Sequence, residues 1–229
     1  MGIITMGVPQ DIVLKLAQIN NTQVFIETGT YRGGTTRWAA EHFKTVHTIE
    51  RAEALYEEFS PELSKIPAIT PHLGDSKDVL PKIVESLEGQ SAVHWLDGHW
   101  SGGPTAGEGD ECPIMEELQC LADRPNDLIL IDDARFFLCA PPAPHRPEQW
   151  PTMGEISNAL PGGDKQPFIQ VVDDVIFIIP NRPELRTALT EYCQVRTVEF
   201  WETFAKGQQG AMGGIKKVVG GIKNKVIGN

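Results

Sequence analysis

Through the first 180 residues, short apolar runs alternate with stretches whose apolar positions return every three or four residues. The apolar runs at 23–27, 45–50, 68–75, 91–98 and 127–133 read as strands. The last of these, DLILIDD, is so uniformly apolar that it predicts a place inside a sheet. Residues 35–43, 52–59, 77–87 and 112–121 read as the intervening helices, the last with Pro113 in its first turn. Pro9 followed by DIVLKLAQI opens a further helix, with Ile12, Leu16 and Ile19 on one face. Such alternation predicts a doubly wound parallel sheet. At PFIQVVDDVIFIIP, residues 167–180, the rhythm breaks into two strands joined tightly at Asp173 and Asp174, which predicts an antiparallel hairpin. The expected fold is therefore α/β: a Rossmann-like, doubly wound, mostly parallel seven-stranded sheet ending in a hairpin.

Two irregular stretches interrupt this order. Residues 98–112, GHWSGGPTAGEGDEC, are rich in glycine and acids, and residues 139–151, CAPPAPHRPEQWP, are rich in proline. Both follow strands at their carboxyl ends, where open α/β sheets place ligands.

Charge sharpens the picture. The formal charge of −11 argues against a broad nucleic-acid-binding surface. Five lysines and no acid lie in residues 206–229, so residues 1–205 carry 15 basic groups against 31 acidic ones. The chain divides on this reading into a domain at 1–205 and a basic tail rich in Gly, Lys, Ile and Val at 206–229. Cys112, Cys120, Cys139 and Cys193 show no metal-ligand rhythm and read as reduced thiols. The N-terminus has neither a secretory signal nor the pattern for myristoylation, and the expected location is the cytoplasm.

The candidate chemistry begins at VFIETGTYRGG, residues 24–34. A dinucleotide site would place G-x-G-x-x-G at such a turn, with pyrophosphate on the following helix. Here Tyr31 replaces the second glycine and Glu27 precedes the turn, which repels an anion and attracts an ammonium group. S-adenosylmethionine carries such a group and no pyrophosphate. Gly29 and Gly33 would let backbone pass close to its methionine part, beside Thr28 and Thr30. Glu50, ending the second strand, is placed for the ribose hydroxyls. Gly74, Asp75 and Ser76, after the third strand, are placed for the adenine edge.

WLDGHW (95–100) and LIDDA (130–134) end the fourth and fifth strands, so Asp97, Asp132 and Asp133 should converge beside the methyl donor. Carboxylates crowded together repel, and Mg²⁺ or another hard divalent ion relieves this. Such an ion can acidify a bound hydroxyl for a nearby base. His99 is the first candidate base and His145, in the proline-rich loop, the second.

These stretches together resemble the class I S-adenosylmethionine-dependent methyltransferases, over about residues 20–180, through FIETGTYRGGTT, HTIE, LGDS, WLDGHWSGG and LILIDDA. The pairing of L-D-G with D-D is similar to the macrocin O-methyltransferase group, Mg²⁺-dependent enzymes that methylate sugar hydroxyls of natural products. The resemblance implies that Asp97, Asp132 and Asp133 are metal ligands, with Glu27, Gly29, Glu50 and Asp75 in the cofactor site. His99 stands where that group has the last Asp of L-D-G-D.

The expected activity is Mg²⁺-assisted methylation of a hydroxyl on a sugar, glycan or related small molecule, with His99 and Asp97 as catalytic candidates. A metal-independent methyltransferase acting on nitrogen or protein is the alternative, and a non-catalytic nucleoside-binding module is another of a different class. The tail contains two near-copies of a seven-residue unit in GGIKKVVGGIKNKV, residues 213–226. In a helix Ile215, Val218, Val219, Ile222 and Val226 share a face, although paired glycines oppose an isolated helix. The tail reads as a plain extension, as an amphipathic segment on an anionic membrane, or as a self-association element; oligomer formation stays open.

Overall fold

The computed structural model describes residues 7–103 and 105–226, with side chains described as far as residue 206. Seven strands form one sheet in the order β3-β2-β1-β4-β5-β7-β6. They are β1 (Val24–Thr28), β2 (Thr45–Glu50), β3 (Ile69–Leu73), β4 (Ala92–Leu96), β5 (Leu128–Ile131), β6 (Phe168–Val172) and β7 (Val175–Ile179). The first five run parallel, and β7 lies antiparallel between β5 and β6. This is the expected Rossmann-like sheet with its hairpin. Asp173 and Asp174 both adopt positive φ, 52° and 65°, as a tight two-residue hairpin turn demands. Dinucleotide-binding sheets of this class usually run 3-2-1-4-5-6, so the inserted antiparallel strand sets this one apart.

Helices α1 (Gln10–Asn20), α2 (Gly34–His42), α3 (Glu53–Leu63), α4 (Ser76–Ser86) and α5 (Ile114–Leu121) fall within a few residues of the sequence expectation. Strands β1, β4, β5 and β7 are buried at every position, because both faces of the sheet are covered. Val24, Ile26, Ile129 and Ile131 pack on one face with Leu80, Ile83, Leu118 and Leu121 of α4 and α5. On the opposite face Phe25 meets Trp38 at 5.8 Å and Phe43 at 5.2 Å between ring centroids. Phe25 and Phe43 are buried there and Trp38 half-buried, and the edge-on Phe25–Trp38 contact adds attraction to the area removed from water.

Three helices escaped the sequence reading. The short α6 (Arg135–Leu138) follows β5 at once, and α7 (Met153–Ala159) opens on a capping box between Thr152 and Glu155. The chain ends in α8 (Pro183–Val226), whose Leu185, Ala188 and Leu189 are buried. Residues 1–189 and 190–229 are separate compact units. No disulfide joins the cysteines. Among the described residues no helix is long and apolar enough to cross a membrane.

Candidate active site

Strand order reverses between β1 and β4, so the connections leaving their adjacent carboxyl ends run to opposite faces of the sheet and leave a crevice. A cleft of about 430 Å³ opens there. Its walls come from the turns after β1 to β5 and from the irregular segment at 98–112.

The turn after β1 is fixed by backbone geometry. Gly29 has φ +87°, and a Cβ there would stand 2.3 Å from the Asp97 carbonyl oxygen. No side chain fits, so the β1 and β4 ends touch through bare backbone. Gly33, at φ +71°, precedes α2, and a Cβ on it would press Leu63 at 2.9 Å. It serves packing between α2 and α3.

Gly29, Glu50, Gly74, Asp75, Ser76 and Asp97 all line the cleft, as the sequence led us to expect. Glu27, Thr28, Thr30 and Gly33 are not on its wall. Glu27 is buried behind it, accepting hydrogen bonds from the Thr36 and Thr48 hydroxyls. Burial pushes its carboxyl up to about 7, against the opposing bonds from Thr36, Thr48 and Thr35. The acid that precedes the glycine turn is thus a supporting group. Thr30 likewise turns inward, its Oγ1 2.6 Å from Thr48 Oγ1.

Glu50 accepts from the Tyr31 amide at 2.8 Å and from the Ala52 amide at 2.8 Å. A carboxylate has about four acceptor sites, so these two bonds orient Glu50 and leave capacity for a ligand's hydroxyls. Asp75 caps α4 by accepting from the Lys77 amide at 3.1 Å. Arg51, which sequence reasoning passed over, pairs with Asp75 at 3.3 Å and also lines the cleft.

The acidic centre forms as expected on one wall, where Asp97, Asp132, Asp133 and His99 all lie. His99 Nε2 is 2.9 Å from Asp133 Oδ2 and 3.8 Å from Asp97 Oδ1. Burial opposes protonation of His99, but the hydrogen bond to Asp133 and the charges of Asp97, Asp133 and Asp132 raise its pKa overall. Asp133 is held low despite its burial by His99 and by Arg135, the latter 2.7 Å away. Asp97 stands well above the ordinary carboxylate range, first through burial and then through Asp132, Asp133 and Glu27, with His99 opposing. Burial and the Asp133 charge push Asp132 up to about 7. The His99 side chain is 1% exposed, whereas that of Asp97 is 33% exposed. The more open proton acceptor is Asp97, and His99 stands behind it.

Beneath this wall lies Glu117 on α5, buried, with no hydrogen-bond partner meeting normal geometry at either oxygen among the described residues. Burial pushes it up to about 7, although the Ser76 and Thr28 hydroxyls oppose the shift.

The two irregular segments are joined by Glu111. Its carboxylate accepts from Trp150 Nε1 at 2.8 Å, the Arg146 amide at 3.0 Å and His145 Nδ1 at 3.2 Å. Its pKa is lowered because those bonds outweigh burial. Trp150 in turn packs edge-on against His99, 5.2 Å between centroids. His145 is thereby a member of the latch and is absent from the cleft wall.

The structure does not show the three aspartates set as a divalent-ion site. Asp133 is committed to His99 and Arg135, and among the described residues no group of three or more ligating side chains is spaced to hold a metal.

No protein-family profile and no curated protein matches the sequence. Solved structures resemble it in part. One is a Staphylococcus aureus protein described provisionally as a caffeoyl-CoA O-methyltransferase, 14% identical, with 78% of this chain and 85% of that one covered and a TM-score of 0.49. Human N-acetylserotonin methyltransferase is 13% identical, with 75% of this chain but 51% of that one covered and a TM-score of 0.44. An rRNA methylase from Streptococcus thermophilus is 13% identical, with 78% and 99% covered and a TM-score of 0.43.

Proposed function

We propose that the protein is an S-adenosylmethionine-dependent methyltransferase that methylates a hydroxyl on a sugar, glycan or related small molecule. The observation that carries this reading is the charge of the cleft at the strand-order reversal. Glu50, Asp75, Asp97, Asp132 and Asp133 face it, and its two arginines, Arg51 and Arg135, are paired with acids. A diphosphate would be repelled there, and a cationic nucleoside attracted. Bound S-adenosylmethionine would supply a methyl group on a sulfonium centre, a leaving group that departs as a neutral thioether.

The chain's own residues do the rest. Glu50 would receive the ribose hydroxyls, and Asp75 with Ser76 the adenine edge. Gly29 leaves backbone room beside Asp97. Asp97 takes the proton of the acceptor hydroxyl as the new O–C bond forms and the S–C bond breaks. His99, anchored on Asp133, lowers the pKa of Asp97 and compensates the crowded charge. The Glu111 latch holds the two loops that screen the cleft from water. Asp132, the Ser101 hydroxyl and the Thr105 hydroxyl offer acceptors and donors for a polyhydroxyl substrate.

A metal-assisted variant is the second reading. Asp97 and Asp132 both have raised pKa values, and a cation between them would relieve that crowding.

Calorimetry with S-adenosylmethionine and with NAD⁺, each with Mg²⁺ or EDTA, tests both readings alongside a sugar and glycan acceptor screen using labelled donor. Binding of the first nucleoside alone, with label passing to a hydroxyl at a rate indifferent to EDTA, is expected. Loss of transfer in EDTA would establish the second reading. Binding without transfer to any acceptor would favour a nucleoside-binding module, transfer to nitrogen a different acceptor class, and no binding would overturn the proposal.

A further inference from the structure

Helix α8 continues without a break from residue 183 to residue 226, so a single register relates its exposed aromatic residues to the lysine-rich segment that follows. At about 100° per residue, positions 200, 201, 204, 211, 212, 215, 218, 219, 222 and 226 share an arc of roughly 120°. They hold Phe200, Trp201, Phe204, Ala211, Met212, Ile215, Val218, Val219, Ile222 and Val226, with Gln208 the one polar residue among them. The remaining arc holds all five lysines (206, 216, 217, 223 and 225) and all six glycines of the segment, with Ala205 its one apolar residue. The stripe runs about 40 Å. Its described end is open to solvent: Trp201 is 60% exposed and Phe204 49%.

We infer that residues 200–226 form an in-plane helix that docks on an anionic lipid surface. Charge complementarity selects this occupant, because the segment from 206 onward carries five lysines and no acid. Lysines flank the apolar arc on both sides, where lipid headgroups would meet them, and aromatic rings sit at its start, as interfacial helices require. The segment is too interrupted by lysine and glycine to cross a bilayer. A second copy offers no match: outside α8 the exposed large apolar side chains among the described residues are Tyr31, Leu73, Leu138 and Val171, on separate elements. Two such helices packed on each other would set their lysine rows side by side.

Flotation of the full chain with phosphatidylcholine vesicles, with and without about one-third phosphatidylserine, tests the inference. Binding to the anionic vesicles is expected, weakened by salt and by at least about tenfold in a variant with Lys216, Lys217, Lys223 and Lys225 changed to Gln. W201S with F204S should weaken it comparably, and Trp201 fluorescence should shift to the blue on binding the anionic vesicles. Soluble, cooperatively melting variants establish that the fold is intact. Absence of binding, binding equal on neutral vesicles, or binding untouched by both variants would overturn it. So would light scattering that shows a lipid-free oligomer dispersed by W201S/F204S, which would make the stripe a protein interface.

Discussion

Single side chains decide the chemistry at this site, and their roles separate by exposure and by charge. Asp97 and His99 stand two residues apart, yet only Asp97 offers much surface to the cleft. D97N should lower methyl transfer by about 10²–10⁴-fold and weaken donor binding far less, measured as kcat against calorimetric Kd. In the present arrangement His99 lowers the Asp97 pKa. H99Q should therefore move the acid limb of kcat/KM to higher pH, whereas a His99 base would lose that limb altogether. Glu27 makes a different kind of prediction. Its carboxyl rises from 4.5 to about 7 on folding. The unfolded chain then releases the proton first, and stability falls as pH climbs from about 4.5 to about 7. The loss is on the order of 3 kcal/mol above that window. Melting of E27Q followed from pH 4.5 to 8 should show a flatter profile than the parent, with Glu117 responsible for part of the remaining slope. The sequence pointed to Glu27 as a cofactor-site acid; its contact with Thr36 and Thr48 depends on how α2 and β2 lie against β1.

Elements carry these residues by obeying simple local rules. The first five strands were legible because a parallel sheet covered on both faces needs unbroken apolar runs. The hairpin was legible because two adjacent aspartates can take the positive φ its turn needs. Helices α6 and α7 were missed because each is shorter than two or three turns and sits among prolines and glycines, where apolar periodicity has no room to show. The latch between the loops was equally invisible. Glu111 and Trp150 lie 39 residues apart, and neither belongs to a motif. Their bond is buried and charge-assisted, so E111Q should cost roughly 1–3 kcal/mol in chemical denaturation. It should also raise KM for the acceptor, measured beside the calorimetric Kd for the donor, since Ser101 and Thr105 of the segment it holds line the cleft.

For the molecule as a whole, electrostatics follow from composition and the site from topology. Residues 1–205 carry 31 acids against 15 basic groups, and several acids gather where the strand order reverses. Two of them, Asp97 and Asp132, have raised pKa values, so a cationic ligand binds best once these two ionise. Affinity for S-adenosylmethionine should rise between about pH 6 and 8, with protons released on binding, as calorimetry in buffers of different ionisation heat would register. Alternation of strands and helices, the acids at strand ends and the basic amphipathic tail are all properties of local order, and the sequence alone determined them. Which acids face the cleft was another matter. Burial set Glu27 behind the wall, a hydrogen bond drew His99 to Asp133, and Arg135 occupied the third aspartate. Those outcomes depend on distances between elements far apart in the chain, which packing of the sheet against its helices fixes and no linear pattern encodes.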